Sequence, residues 1–111
     1  MTEMKKYGEI SEQEFAALKQ KHGKIYTLTV EYDDNGEVVE LVGYLKRPER
    51  FVMGMALSAI ERDPVRAKEI ILEKSWLAGD ERIKRDDDAF YSAFTVLDEV
   101  FMARNASLKK N

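Results

Sequence analysis

Between Lys24 and Lys46 the chain spells out a β-hairpin in both pattern and turn, and that hairpin limits what the rest can build. Tyr26, Leu28, Val30 and Tyr32 alternate with Thr27, Thr29 and Glu31, so the two sets fall on opposite faces of a strand. Asp34-Asn35-Gly36-Glu37 follows, and Asn-Gly suits the positive φ angles of a two-residue type I′ turn. Val38 to Lys46 then returns. This loop pairs Tyr32 with Val39, Val30 with Leu41, Leu28 with Gly43 and Tyr26 with Leu45. All eight share one face, so turn and pattern agree on the register. The other face carries Ile25, Val38, Val42 and Tyr44. A two-stranded hairpin is marginal alone in water, so it must lie on helices. Its outer edges stay unpaired. It forms either a half-covered layer or a site of strand addition by a second copy or a partner, and the expectation is a homo-oligomer through this region.

Helices flank the hairpin, giving an α+β class with one N-terminal helix, one antiparallel hairpin and three later helices. Strands are expected over 24–33 and 37–46, and helices over 11–22, 48–62, 63–78 and 86–106. Ser11 and Glu14 have capping-box spacing, with Ile10 and Phe15 as the staple. Gly23 supplies the stop. Pro48 suits a first helical turn, and Val52, Met53, Ala56, Leu57 and Ile60 repeat at helical spacing. Asp63-Pro64 caps and opens the next helix. Its buried face reads as Ala67, Ile70, Ile71, Lys74 and Leu77, with Lys74 its one charge, and Gly79 ends it. Residues 80–85 read as a polar connection. Asp86, Asp87 and Asp88 crowd the start of the last helix, where carboxylates favour the helix dipole. Its buried stripe is Phe90, Phe94, Leu97, Phe101 and Leu108.

The 111 residues suffice for one core and one domain, and 44% hydrophobic with 35% charged residues is a globular balance. The chain has no cysteine, which excludes disulfides, thiolate nucleophiles and cysteine-ligated zinc. No apolar stretch approaches the ~20 residues of a spanning helix, and no apolar h-region follows Met1 to Tyr7. The expectation is therefore a cytoplasmic protein, neither exported nor inserted. A net charge of −3 argues against a nucleic-acid binder, which shows a basic excess or a basic face.

No catalytic, cofactor or metal site emerges. His22 is the one histidine, and it sits at a helix end beside Lys21 and Lys24, where a solvated role explains it. Asp33 to Glu37 places glycine fourth, between two strands, so it is a turn rather than a calcium loop. Adjacent aspartates at 86–88 point in different directions around a helix axis, which suits capping better than magnesium. Four residues are candidates for binding a partner. Arg47 lies in the basic junction Lys46-Arg47-Pro48-Glu49-Arg50, which Tyr44 and Phe51 adjoin, and Trp76 is the sole tryptophan. Each has an ordinary structural reading too: a solvated junction for the cluster, a core or rim aromatic for Trp76.

From Tyr44 to Lys110 the sequence resembles small phage and prophage proteins of the tail assembly chaperone type found in long-tailed bacteriophages. The matching features are Tyr44-Leu45-Lys46-Arg47-Pro48, Asp63-Pro64, Glu69-Ile70-Ile71-Leu72-Glu73, Trp76-Leu77-Ala78-Gly79-Asp80, and Asp86-Asp87-Asp88 before an aromatic helix. The resemblance implies a non-enzymatic protein of the bacterial host's cytoplasm that binds the tape-measure protein, helps tail-tube subunits assemble around it and self-associates. The alternatives are a nucleic-acid-associated accessory protein and a structural connector component of the phage particle.

Overall fold

The computed structural model describes residues 4–97 and shows a mixed α+β architecture with five helices and a four-stranded sheet. In chain order the elements are β1 (Lys6–Tyr7), α1 (Glu12–His22), β2 (Ile25–Asp34), β3 (Glu37–Lys46), α2 (Arg50–Ala59), α3 (Pro64–Ser75), β4 (Trp76–Gly79), α4 (Arg82–Arg85) and α5 (Asp87–Val96). The hairpin holds the expected register over all ten pairs, Tyr26↔Leu45, Leu28↔Gly43, Val30↔Leu41 and Tyr32↔Val39 among them. Asn35 and Gly36 both have positive φ, at 54° and 90°, as a type I′ turn requires. The Asp33 carboxylate accepts from the Gly36 N–H at 2.7 Å and tightens the loop.

One edge of the hairpin differs from the sequence expectation. The far side of β3 is paired with two short segments laid end to end. β1 runs parallel to it at Glu40 and Leu41, and β4 runs antiparallel at Gly43, Tyr44 and Leu45. The two meet where the Asp80 N–H donates to the Val42 carbonyl. Gly8 lies at this junction, where a Cβ would stand 2.4 Å from the Val42 carbonyl oxygen and 2.5 Å from the Asp80 nitrogen. Only side-chain-free backbone fits there.

The helix at 63–78 is therefore shorter than its periodicity suggests. It ends at Ser75, and Trp76 to Gly79 turn extended to become β4. The expected helix at 48–62 is confined to residues 50–59, with Pro48 buried before it and Glu49 at the N-cap position. Residues 80–85 are not wholly a connection, because Arg82–Arg85 forms a helical turn that seats Ile83 in the core. The last helix starts as expected with Asp86 as its cap. Residues 98–106 of the expectation, with Phe101 and Leu108, lie outside the described residues.

Two cores result. The larger lies on the inner face of the hairpin, where Leu28, Val30, Val39, Leu41 and Leu45 meet Leu72, Ile83, Ala89, Phe90, Ala93 and Leu97. The smaller lies between α2 and α3 and holds Val52, Ala56, Ala67 and Ile71. α3 is thus buried on two sides, which shifts its charged position. Lys74 is exposed, and Lys68 is the lysine taken inside, at 6% exposure. Its ammonium donates to the Phe94 carbonyl at 2.8 Å and lies 3.6 Å from the Phe94 ring centroid. On the opposite face of the sheet α1 covers Tyr44 through Phe15. The expected capping box is present, with the Glu14 N–H donating to Ser11 Oγ at 3.1 Å.

Candidate functional site: a polar clasp and an apolar helix

Two features outside the cores carry enough chemistry to be weighed. The first is a polar cluster around Arg82. Its guanidinium donates to both Asp80 oxygens, Nε to Oδ1 at 3.0 Å and NH2 to Oδ2 at 2.9 Å, the two-point geometry that carboxylates favour. Asp34 stands 3.9 Å away, and the guanidinium lies 5.3 Å from the Tyr7 ring centroid and 5.2 Å from that of Tyr32. The Tyr32 hydroxyl in turn donates to Asp86 Oδ2 at 2.8 Å, while Asp86 Oδ1 accepts from the Asp88 and Ala89 N–H groups.

The electrostatics follow from these bonds. Hydrogen bonding to Arg82 holds the Asp80 carboxyl below its ordinary value and raises the guanidinium in return. The Tyr32 hydrogen bond and the α5 amides lower Asp86, and the same hydrogen bond to Asp86 raises Tyr32. Asp80 and Asp86 are each stabilised as anions by donors that are themselves engaged, so neither is poised near neutrality as an acid or base. The cluster joins β1, β2, α4 and α5. It is a clasp. Among the described residues, no group of three or more histidine or acidic side chains is placed to hold a metal ion, and no helix is long and apolar enough to cross a membrane.

The second feature is α2. From Phe51 to Ile60 the sequence has no charged residue, and the helix is apolar on nearly every side. One side meets α3, and α2 makes at most slight contact with any other element. Much of the remaining surface is open. Phe51 is 74% exposed and Leu57 53%, with Gly54 and Ser58 also exposed. The Ser58 hydroxyl donates to the Gly54 carbonyl at 2.9 Å, so this surface can lose its water without stranding that hydroxyl. A helix apolar all round is normally buried, and among the described residues this one is covered on one side only.

The four residues singled out from sequence separate here. Arg47 and Phe51 are both exposed at the N-terminal end of α2. Tyr44 is 7% exposed, packed edge-on against Phe15 at 6.0 Å, with its hydroxyl accepting from the Ile10 N–H at 3.4 Å. Trp76 packs on the larger core, its ring close over Gly43 and its face 4.9 Å from the Lys84 ammonium. Arg50 and Leu57 join Arg47 and Phe51 instead. Their signal was the charge-free run itself, in a chain otherwise rich in charge. The chain matches no protein-family model, no curated protein and no solved structure.

Proposed function

We propose that the chain is a non-enzymatic protein-binding module, a tail assembly chaperone that takes an apolar helical segment of the tape-measure protein on α2. The observation that carries this reading is the exposed, charge-free face of α2, which is fixed to the body by its opposite side. Such a face suits an amphipathic helix, which buries its own apolar stripe in the same step. Arg47 and Arg50 stand at the N-terminal end of α2 and make no ion pair among the described residues, which favours a client segment with acidic residues at that end. Met53 and Met55, partly buried beside this face, add side chains that adapt to different apolar shapes. The engaged polar groups of the clasp favour binding over catalysis. The tape-measure identity of the client rests on the resemblance of Tyr44 to Lys110 to the chaperone type.

The test is co-expression with the longest helix-rich protein encoded beside the gene. The expected result is co-purification and solubilisation of the long protein, both lost with Phe51→Asp and retained with Tyr91→Asp, an exposed aromatic on α5. A folded chain that leaves the long protein insoluble contradicts the chaperone reading.

A further inference from the structure

The open edge of β2 is the second unfinished surface, and it does not depend on α2. Because a two-residue loop joins β2 to β3, Asp34 and Glu37 form the first hydrogen-bonded pair, and such pairs alternate along an antiparallel ladder. Tyr26, Leu28, Val30 and Tyr32 therefore spend their backbone groups on β3. Ile25, Thr27, Thr29, Glu31 and Asp33 point theirs away from it, along an edge that no strand among the described residues pairs.

Sheet edges are ordinarily blunted by proline, a bulge or brevity. β2 has none of these: it is ten residues long, free of proline and in unbroken register with β3, and its outward charges, another edge guard, are confined to Glu31 and Asp33 at its C-terminal end. The other edge of the sheet is managed differently, broken into two short strands with an irregularity between Tyr44 and Leu45. Thr27, Thr29, Glu31 and Asp33 are all exposed, so nothing described lies over the outer side of the edge.

We infer that two copies of the chain join through this edge, β2 against β2, antiparallel about a twofold axis at Thr29. This register pairs Ile25 to Asp33 and brings all five outward residues into the ladder. Thr29 faces its own copy, Thr27 faces Glu31, and Ile25 faces Asp33. On the inner side Leu28 faces Val30 and Tyr26 faces Tyr32, which continues the apolar surface of one sheet into the next. Lys24 comes opposite Asp34, and no like charges face each other. A register centred one residue either way leaves Ile25 or Asp33 opposite a residue outside the strand and loses the Lys24–Asp34 match. Self-complementarity of this kind is what a twofold interface demands, and the five outward residues of each copy supply about ten backbone hydrogen bonds.

The test is the mass of the purified full chain over a dilution series, with residue-resolved amide hydrogen exchange at each concentration. The expected result is a dimer in which all β2 amides are protected, with those of Ile25, Thr27, Thr29, Glu31 and Asp33 losing protection on dilution. Thr29→Pro removes two central intermolecular bonds and none to β3, so its dimer affinity falls roughly ten-fold or more. Should Thr29→Pro unfold, Thr29→Lys and Thr29→Glu serve instead: each alone weakens the dimer several-fold, and a mixture of the two restores it. A monomer whose outward amides exchange freely at every concentration overturns the inference. So does a dimer that leaves those amides unprotected, or one broken by Phe51→Asp, since the copies then meet elsewhere. Protection gained only on adding an extended client peptide overturns it too.

Discussion

Tyr32 is the residue on which the polar clasp turns, because one hydroxyl ties β2 to the cap of α5. The bond shifts both partners in opposite directions. Asp86 titrates below its ordinary value, so its contribution is present above about pH 4 and is lost as pH falls through the lowered value. Tyr32 titrates above its ordinary value, so its contribution is complete below about pH 10 and fades as pH rises further. Tyr32→Phe is therefore expected to lower the melting temperature most across the neutral range, with the gap to the parent chain closing at both extremes. Thermal unfolding at about pH 3, 7 and 11 checks this, and a gap independent of pH would show that the bond adds nothing. Of the clasp, the sequence revealed only a capping role shared among Asp86, Asp87 and Asp88, since caps are local. Tyr7, Tyr32 and Asp34 reach Arg82 and Asp86 from tens of residues away, and no spacing announces that.

At the level of elements, signals confined to neighbouring residues were readable. The capping box at Ser11, the Asn35-Gly36 turn with its register, and the Asp63-Pro64 start all stand where their chemistry puts them. β1 and β4 were hidden for a different reason: strands of two and four residues are too short to display alternation, and both exist because β3 offers an edge. A helix buried on two sides has no single stripe, so the spacing in α3 points to Lys74 where Lys68 is the lysine inside. α4 was hidden by its charges, Arg82, Lys84 and Arg85 masking one apolar side chain. That side chain, Ile83, is fully enclosed, and Ile83→Ala is expected to cost about 2–5 kcal/mol. Its exposed neighbour makes the control: Arg85→Ala should stay within about 0.5 kcal/mol in the same denaturant titration.

For the molecule as a whole, the division into two cores matters most. Among the described residues α2 is held chiefly through α3, with few enclosed side chains between them, whereas the hairpin is covered by α3, α4 and α5. Local opening follows the density of buried apolar contact, so α2 amides are expected to exchange faster than those of β3, with α3 between. Native-state hydrogen exchange in low denaturant measures this, and equal rates throughout would mean that the protein opens as one unit. The sequence suggested three helices laid on the hairpin and gave no hint that one of them rides on another. Long-range closure has a further consequence, in how the protein is made. Residues 6–7 are ready to line β3 as soon as the hairpin leaves the ribosome, but residues 76–80 are synthesised later. At ordinary translation speeds the interval after Lys46 lasts roughly two to seven seconds, while the hairpin itself closes in microseconds. Half of one sheet edge is bare for that time on every nascent chain.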